Sequence, residues 1–451
     1  LAIVWTERYD SFLPAGLQWS DYDLYTNKGV PKGAVAEIVC ANANEGDTRG
    51  VGVRTDGSTL SSRSLVLHEA EAGGETHVTM LVTVHKTTGL IETFCGANMT
   101  GVIFYLTGYW TGVTFIERQD GWGGSDPSPP RWVDRNVYTL YGIPKGSVMQ
   151  VTCGNNEFNF ANLAGVRTDG SGLLRYVLIH EAEDAFRPIT CYTTFVKSHP
   201  VTGMIEFYAP STLILAYYWI WGYFDVTMSY VELWTQKAIA DNVWVDVDLS
   251  ADLDEDGRTV NFVLMHDNRS AGKYLGARTD GSALVRYLLE HEAEGNGYTG
   301  YGVTVKSSDV NGVVELFATS NDYFWLAGYF KPTPMYNNPI SIKRIVPEVL
   351  LKRNARVFGT RDSQTMWTPP RPLMSVTPES GKVQVSTVMQ QRMKMKPMWE
   401  LAVVRNGDLI YHKKRTRDLF VWRGQSIFAY LLSQGAVGTA TGAWYVVASE
   451  N

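Results

Sequence analysis

Over roughly the first three-quarters of the chain, short runs rich in Val, Ile, Thr, Tyr and Phe alternate with Asp-Gly, Pro-Lys-Gly, Thr-Gly and Asn-Gly turns. The turns recur about every 8–15 residues, and no segment shows a helical period. About seven or eight such runs fall within each 110 or so residues, the pattern of an antiparallel β-sandwich of jelly-roll or immunoglobulin-like topology. The greasiest stretch, residues 213–224, is too short to span a bilayer. With no basic-then-apolar leader at its start, the chain reads as soluble, without a membrane span.

The same phrases return at a period near 112 residues. Trp-x-Asp appears as Trp19/Asp21, Trp132/Asp134 and Trp244/Asp246, followed by a turn and an alternating apolar strand. Arg54-Thr55-Asp56-Gly57-Ser58 recurs as Arg167-Thr168-Asp169-Gly170-Ser171 and Arg278-Thr279-Asp280-Gly281-Ser282. Next come a lone arginine (Arg63, Arg175, Arg286) and His-Glu-Ala-Glu, beginning at His68, His180 and His291. A later strand carries Glu92, Glu206 and Glu315, and each copy closes on Gly-Tyr-aromatic at Gly108, Gly222 and Gly328. The fold class is therefore all-β: three tandem antiparallel sandwiches, residues 1–112, 113–224 and 225–330, jelly-roll-like because no copy pairs cysteines around a tryptophan. Residues 331–451 form a distinct β-rich domain with a Pro-rich connector, in which Asn406-Gly407 signals a hairpin.

Turn chemistry accounts for Asp56-Gly57, Asp169-Gly170 and Asp280-Gly281. A calcium or sugar loop built on those carboxylates would need further oxygen ligands nearby, which the sequence lacks. His-Glu-Ala-Glu supplies one histidine per copy on a strand, unlike helical metal motifs with two. Strand alternation sorts Ser64, Val66, His68 and Ala70 from Arg63, Leu65, Leu67, Glu69 and Glu71. The first set is expected to face the core, because Glu290 interrupts the second in the third copy. On this reading His68, His180 and His291 are hydrogen-bonded core residues, and no metal, cofactor or catalytic residue is assigned. Arg63 and its equivalents are left to pair with nearby glutamates, including Glu92, Glu206 and Glu315. Glu69, Glu181 and Glu292 are where a glycosidase carboxylate would be sought, but an active site repeated three times in tandem argues against an enzyme. The aromatic clusters Tyr217-Tyr218-Trp219 with Trp221, and Tyr323-Phe324-Trp325, fill cores or joints, with a sugar-stacking platform as the alternative.

Composition sharpens this picture through charge. From Pro332 onward there are 17 Lys+Arg against 7 Asp+Glu, while the preceding residues hold 23 against 39. An acidic body and a basic end attract each other's copies, or draw the basic end to an anionic partner. The candidate basic surface comprises Arg392, Lys394, Lys396, Lys413, Lys414, Arg415 and Arg417. The four cysteines include no CxxC pair, and the exchange of Cys40 and Cys153 for Met265 in the third copy reads as a buried apolar position.

Taken together, the Arg-Thr-Asp-Gly-Ser, His-Glu-Ala-Glu and Gly-Tyr-aromatic phrases of residues 1–330 resemble β-sandwich modules in structural proteins of phages and other viruses. The resemblance carries over no functional residue. It implies a self-assembling virion component of capsid, decoration, fibre or tail type, with an extended array of modules and a basic anchoring domain. Its partners would be copies of itself and other structural proteins, with nucleic acid a less favoured one. A multivalent carbohydrate-binding adhesin with a glycan receptor, at the cell surface, is the second reading, and a glycoside hydrolase the third.

Overall fold

The computed structural model describes residues 3–332, except for 72, 97, 125–130, 158–159, 182–187, 211–215, 226–227, 238, 240–241, 268–270, 294–296 and 320–321. Of the later residues it describes 374–376, 383–385, 398–405, 408–415 and 447–449. The chain divides into two compact units, Leu1–Thr333 and Pro334–Asn451.

In the first unit each copy contributes eight strands. The first copy runs β1 (Val4–Phe12), β2 (Gln18–Asp23), β3 (Val35–Asn42), β4 (Arg49–Thr55), β5 (Ser64–Leu67), β6 (Thr76–Thr83), β7 (Leu90–Cys95) and β8 (Val102–Thr111). The second runs β9 (Phe115–Gly124), β10 (Arg131–Asn136), β11 (Val148–Asn155), β12 (Asn162–Thr168), β13 (Tyr176–Ile179), β14 (Thr190–Lys197), β15 (Met204–Ala209) and β16 (Ala216–Phe224). The third runs β17 (Met228–Lys237), β18 (Trp244–Asp248), β19 (Thr259–His266), β20 (Lys273–Thr279), β21 (Tyr287–Glu290), β22 (Thr299–Lys306), β23 (Val313–Ala318) and β24 (Tyr323–Pro332). One sheet of the first copy has the order β1-β8-β3-β6 and the other β2-β7-β4-β5, and both orders repeat in the second and third copies. Four-stranded antiparallel sheets so connected make an eight-stranded jelly roll. Two one-turn helices, α1 (Leu24–Lys28) and α2 (Val137–Tyr141), follow β2 and β10, each between an N-capping side chain and a left-handed glycine. Five residues are too few to display a helical period in sequence.

The two sheets of a copy differ in what covers them. In the β2-β7-β4-β5 sheet burial alternates along β7, as expected when one face meets solvent. In the other sheet β3, and likewise β11 and β19, are buried at all eight positions. These are not the alternating strands expected from sequence: one face fills the copy's own core and the other packs on neighbouring copies. The apolar core of the first copy takes in Ile189, Cys191 and Trp221 of the second. That of the second takes in Val263, Met265 and Ala327 of the third, and that of the third takes in Val39, Ala41 and Tyr105 of the first. The copies thus close into a ring instead of extending as an array, with β6, β14 and β22 in mutual contact along a pseudo-threefold axis. At one end of the axis Trp110, Phe224 and Phe330, the last residues of the Gly-Tyr-aromatic phrases, meet with ring centroids 5.0–6.1 Å apart. The glycines of those phrases are needed because a Cβ at Gly108, Gly222 or Gly328 would stand 2.2–2.5 Å from atoms of Trp5, Phe115 or Tyr230.

Each seam is closed by a carboxylate on the next copy's first strand. Glu117 accepts from the Thr55 N–H (3.1 Å) and hydroxyl (2.6 Å), Glu232 from those of Thr168 (3.0 and 2.8 Å), and Glu7 from those of Thr279 (2.9 and 3.0 Å). Behind each carboxylate lies a buried arginine. Arg63 donates to Val53 O, Leu81 O (2.6 Å) and, across the seam, Trp221 O (2.9 Å). Arg175 pairs with Glu232 at 3.2 Å, and Arg286 faces Glu7 at 3.5 Å and the fully buried Glu37 at 3.8 Å. The strand faces are therefore the reverse of the expectation: Arg63, Leu65 and Leu67 are buried while Val66 is exposed. Glu290 does lie on the buried face, because its carboxylate meets a partner from another copy. His77 Nδ1 is 2.5 Å from Glu290 Oε1 and its Nε2 is 2.9 Å from Glu75 Oε2.

In the second unit, β25 (Met374–Val376) pairs with β26 (Val383–Val385), and β27 (Met398–Arg405) lies between β28 (Asp408–Arg415) and β29 (Val447–Ser449). β27 and β28 pair antiparallel on either side of residues 406–407, with Arg405 opposite Asp408, where Asn406-Gly407 predicts a hairpin.

Two outcomes are expected. Arg63→Ala should lower the free energy of urea unfolding by about 3–5 kcal/mol by stranding buried seam groups, whereas Arg54→Ala on the outer sheet should cost no more than about 2 kcal/mol. Burial opposes a charge on His77, but the charges and hydrogen bonds of Glu290 and Glu75 together outweigh it and lift the His77 pKa from 6.5 to about 9, so the ring is an imidazolium that donates from both nitrogens. Because the folded value lies above the ordinary one, this stabilisation is complete below about pH 6.5 and lost as pH rises through about 9. Melting temperature should fall across that window, and more steeply than in the His77→Leu/Glu290→Leu double variant.

Candidate functional site

The recurring polar phrases separate into two groups. In Arg-Thr-Asp-Gly-Ser each residue has its own structural task. Arg54 makes a two-pronged pair with Glu92 (2.8 and 3.0 Å) and lies 4.1 Å over the Trp19 ring. Arg167 with Glu206 and Trp132, and Arg278 with Glu315 and Trp244, repeat this. Thr55 reaches the seam carboxylate, and Asp56 accepts from Thr88 at 2.7 Å, tying its turn to the next hairpin. Asp169 is held by Thr202 at 3.0 Å, and Asp280 by Asn311. Gly57, Gly170 and Gly281 take φ of 72–78°, and the Ser58, Ser171 and Ser282 N–H groups close the turns. Trp-x-Asp belongs to the same outer-sheet group, with Asp21 directly opposite Glu92. Burial first, then Asp56 and Glu92, raises the Asp21 pKa.

The His-Glu-Ala-Glu phrases behave differently. They leave β5, β13 and β21 at the end of the axis opposite the aromatic plug. His68, His180 and His291 are fully buried there, with ring centroids 5.5, 6.0 and 5.4 Å apart. Each histidine is positioned through its backbone on both sides. The N–H groups donate to the neighbouring copy: His68 to Ile189 O, His180 to Tyr298 O (3.0 Å) and His291 to Glu75 O (3.1 Å). The carbonyls accept from the last residue of the buried strand in their own copy: Asn42 (2.7 Å), Asn155 (2.9 Å) and His266 (2.5 Å). Burial lowers the His266 pKa to about 4, so its Nε2–H donates as a neutral imidazole. His68 Nδ1 lies 2.9 Å from Glu69 O, a contact that calls for the Nδ1–H tautomer. Burial, and then the charges of His180 and His68, push the His291 pKa well below the usual histidine value, so this ring is neutral.

Glu71 completes the cluster. Its Oε2 lies 3.8 Å from His291 Nδ1, and one ligand atom from each of Glu71, His180 and His291 falls within 4.8 Å of the others. An open depression of about 400 Å³, lined by Glu45, Gly46, Glu69, Ala70, Glu71 and Glu292, adjoins it. Glu181, with Glu69 and Glu292 the glycosidase candidates of the sequence, is buried, and its carbonyl accepts from Thr190. Sequence reasoning foresaw buried histidines but placed them in three separate cores, whereas the structure brings them to one point.

Part of each aromatic cluster lies at a joint between copies, while Tyr218 and Phe324 fill the cores of their own copies. Trp219 and Trp221 pack on the core of the first copy, and Tyr323 and Trp325 on that of the second. Lys413, Lys414 and Arg415 lie on β28, while Arg392, Lys394, Lys396 and Arg417 fall outside the described residues. Sequence reasoning missed Glu7, Glu117 and Glu232. The available signal was aromatic-x-Glu in the first strand of each copy: Trp5-Thr6-Glu7, Phe115-Ile116-Glu117 and Tyr230-Val231-Glu232.

No family model and no curated protein matches the chain. Solved structures do match in part. One, described as the triple jelly roll fold and turret assembly in an archaeal virus, shares 9% identity over 72% of this chain and 91% of its own, with a TM-score of 0.17. A second, the entire lipid-containing bacteriophage PM2, shares 9% over 74% and 96%, at 0.13. A third, the tandem CBM22-1-CBM22-2 domain of Paenibacillus barcinonensis Xyn10C, shares 7% over 49% and 94%, at 0.15. The chain is weakly similar to jelly-roll proteins of archaeal and other virus particles. Among the described residues no helix is long and apolar enough to cross a membrane.

The tight approach at the axis yields a prediction. A Cβ on Gly297 would sit 2.4 Å from His180 Cα, so Gly297→Ala should force the second and third copies apart. A loss of about 1–3 kcal/mol in unfolding free energy is expected, measured by denaturant titration.

Proposed function

We propose that this chain is a structural component of a virion, a scaffold that assembles with its own copies and other shell proteins, and that it carries out no catalysis. The observation that supports this reading is the ring closure. Three jelly rolls bury the inner strands of one sheet each against one another, and the repeated polar phrases serve turns, seams and the axis. Such a body is a rigid block with threefold-like geometry built from a single chain, suited to a position where three equivalent contacts are made at once.

The charge division supplies the means of association. The net negative ring and the strongly basic residues that follow it favour contact between different copies, with the basic region as anchor. On this reading Lys413, Lys414 and Arg415 belong to the anchor, and its partner is an acidic protein surface in preference to nucleic acid. The adhesin reading loses its sugar platform to the joints between copies, where the aromatic rings are already engaged.

The test is negative-stain microscopy of the purified full chain at low and high salt, beside a chain ending at residue 333. Regular shells, fibres or tubes that dissolve as salt rises, and that fail to form without residues 334–451, are the expected result. Dispersed single particles under all conditions, or assembly indifferent to both salt and truncation, would remove the role.

A further inference from the structure

We propose that the axial histidine cluster is a binding site for one divalent transition-metal ion of the zinc type. Its ligands are Glu71 from the first copy, His180 from the second and His291 from the third, with the His68 ring packed beside them.

The donor set is that of a zinc site: imidazole nitrogens and a carboxylate converging within 4.8 Å. Two donors of one tetrahedral zinc, each bound at about 2.0–2.1 Å, are separated by about 3.3 Å. His291 Nδ1 and Glu71 Oε2 lie 3.8 Å apart, too long for a hydrogen bond and within half an ångström or so of that separation. Two imidazoles on one such ion have ring centres about 5 Å apart, against the 5.4–6.0 Å found between the three rings. A small inward movement of side chains whose backbones are already held closes the site.

A second observation points the same way. His291 is fully buried, and neither of its ring nitrogens has a hydrogen-bond partner among the described residues. Leaving two polar atoms of one buried ring unsatisfied costs several kcal/mol in principle, and a bound metal would satisfy the one that faces Glu71. The bonds from Asn42, Asn155 and His266 to the histidine carbonyls fix the backbone from which the ligands project. The depression lined by four glutamates gives a cation an acidic approach. Because each of the three ligands comes from a different copy, the ion would clasp the ring at its axis and stabilise the folded state by mass action.

The test uses the full chain, stripped of metal with a chelator and titrated with zinc chloride, with metal content measured after gel filtration. Cobalt(II) serves as the spectroscopic probe. One zinc per chain is expected, with intense tetrahedral cobalt bands and a melting temperature that rises with zinc. Glu71→Gln, at the edge of the depression, should keep the fold and weaken zinc binding by at least about tenfold, and His180→Asn should abolish the cobalt bands. Absence of stoichiometric zinc on the wild-type chain would overturn the proposal. So would zinc binding that persists unchanged in folded Glu71→Gln and His180→Asn proteins, since the ion would then lie elsewhere.

Discussion

The structure depends on burying an inner strand of one sheet of each jelly roll on both faces. A β-sandwich ordinarily leaves its outer faces to water, and its strands alternate accordingly. Here β3, β11 and β19 have no solvent side, so every polar group they carry needs a partner inside the protein. Glu37 accepts from the Thr304 N–H (3.0 Å), Gln150 from the Leu81 N–H (2.7 Å), and Asn261 from the Thr194 hydroxyl (3.1 Å), each in another copy. The chain meets the cost of burying a polar residue by making it the bond that holds the next copy. The same logic governs Glu7, Glu117 and Glu232, whose carboxylates satisfy backbone N–H groups that the seam would otherwise strand.

Covalent connection lets the three seams differ. At equivalent positions stand Leu67, Ile179 and Glu290, and across their seams from them, in the same order, Cys191, Gly300 and His77. Two seams are apolar at this point, while the one joining the third copy to the first carries the His77–Glu290 pair. That is the seam with the largest separation along the chain, and the one the polypeptide cannot bring about by local connection. A buried ion pair adds little to net stability compared with a packed apolar contact, but it penalises mismatched neighbours heavily.

Sequence made the local architecture legible and hid the assembly of the parts. The all-β class, the Asp-Gly turns, the buried cysteine position and the jelly-roll preference all follow from nearest-neighbour patterns that each copy satisfies internally. The Arg54, Glu92 and Trp19 grouping was within reach because its members recur at fixed spacing. The ring was not, since Glu117 and Thr55 meet through space across different copies. A clue did exist in β3 and β19, where apolar residues stand on both faces, Val39 and Ala41 beside Ile38 and Cys40, and Val263 and Met265 beside Phe262 and Leu264, although β11 alternates. The reversed face of β5 has the same origin: an arginine such as Arg63 reads as a solvent residue until a neighbouring copy supplies the carbonyls it bonds.

The pattern of identity among the copies separates axis from seam. A residue on a seam faces an unlike residue, so it can change whenever its opposite changes with it, as the Glu290 and His77 pair illustrates. A residue on the pseudo-threefold axis faces its own equivalents, and any change alters contacts to both. Midway along the axis the type does change, Gly302 standing where the other copies have Thr79 and Thr193 and leaving room for their backbones, but both ends keep theirs. Trp110, Phe224 and Phe330 keep aromatic character at one end on this account, and His68, His180 and His291 keep identity at the other. Packing alone explains the aromatic end, where size and shape are what matter. It does not explain the histidines, because an apolar triplet would fill the same volume without burying imidazole nitrogens that need partners. What distinguishes histidine from an apolar filler at that point is its capacity to donate a lone pair.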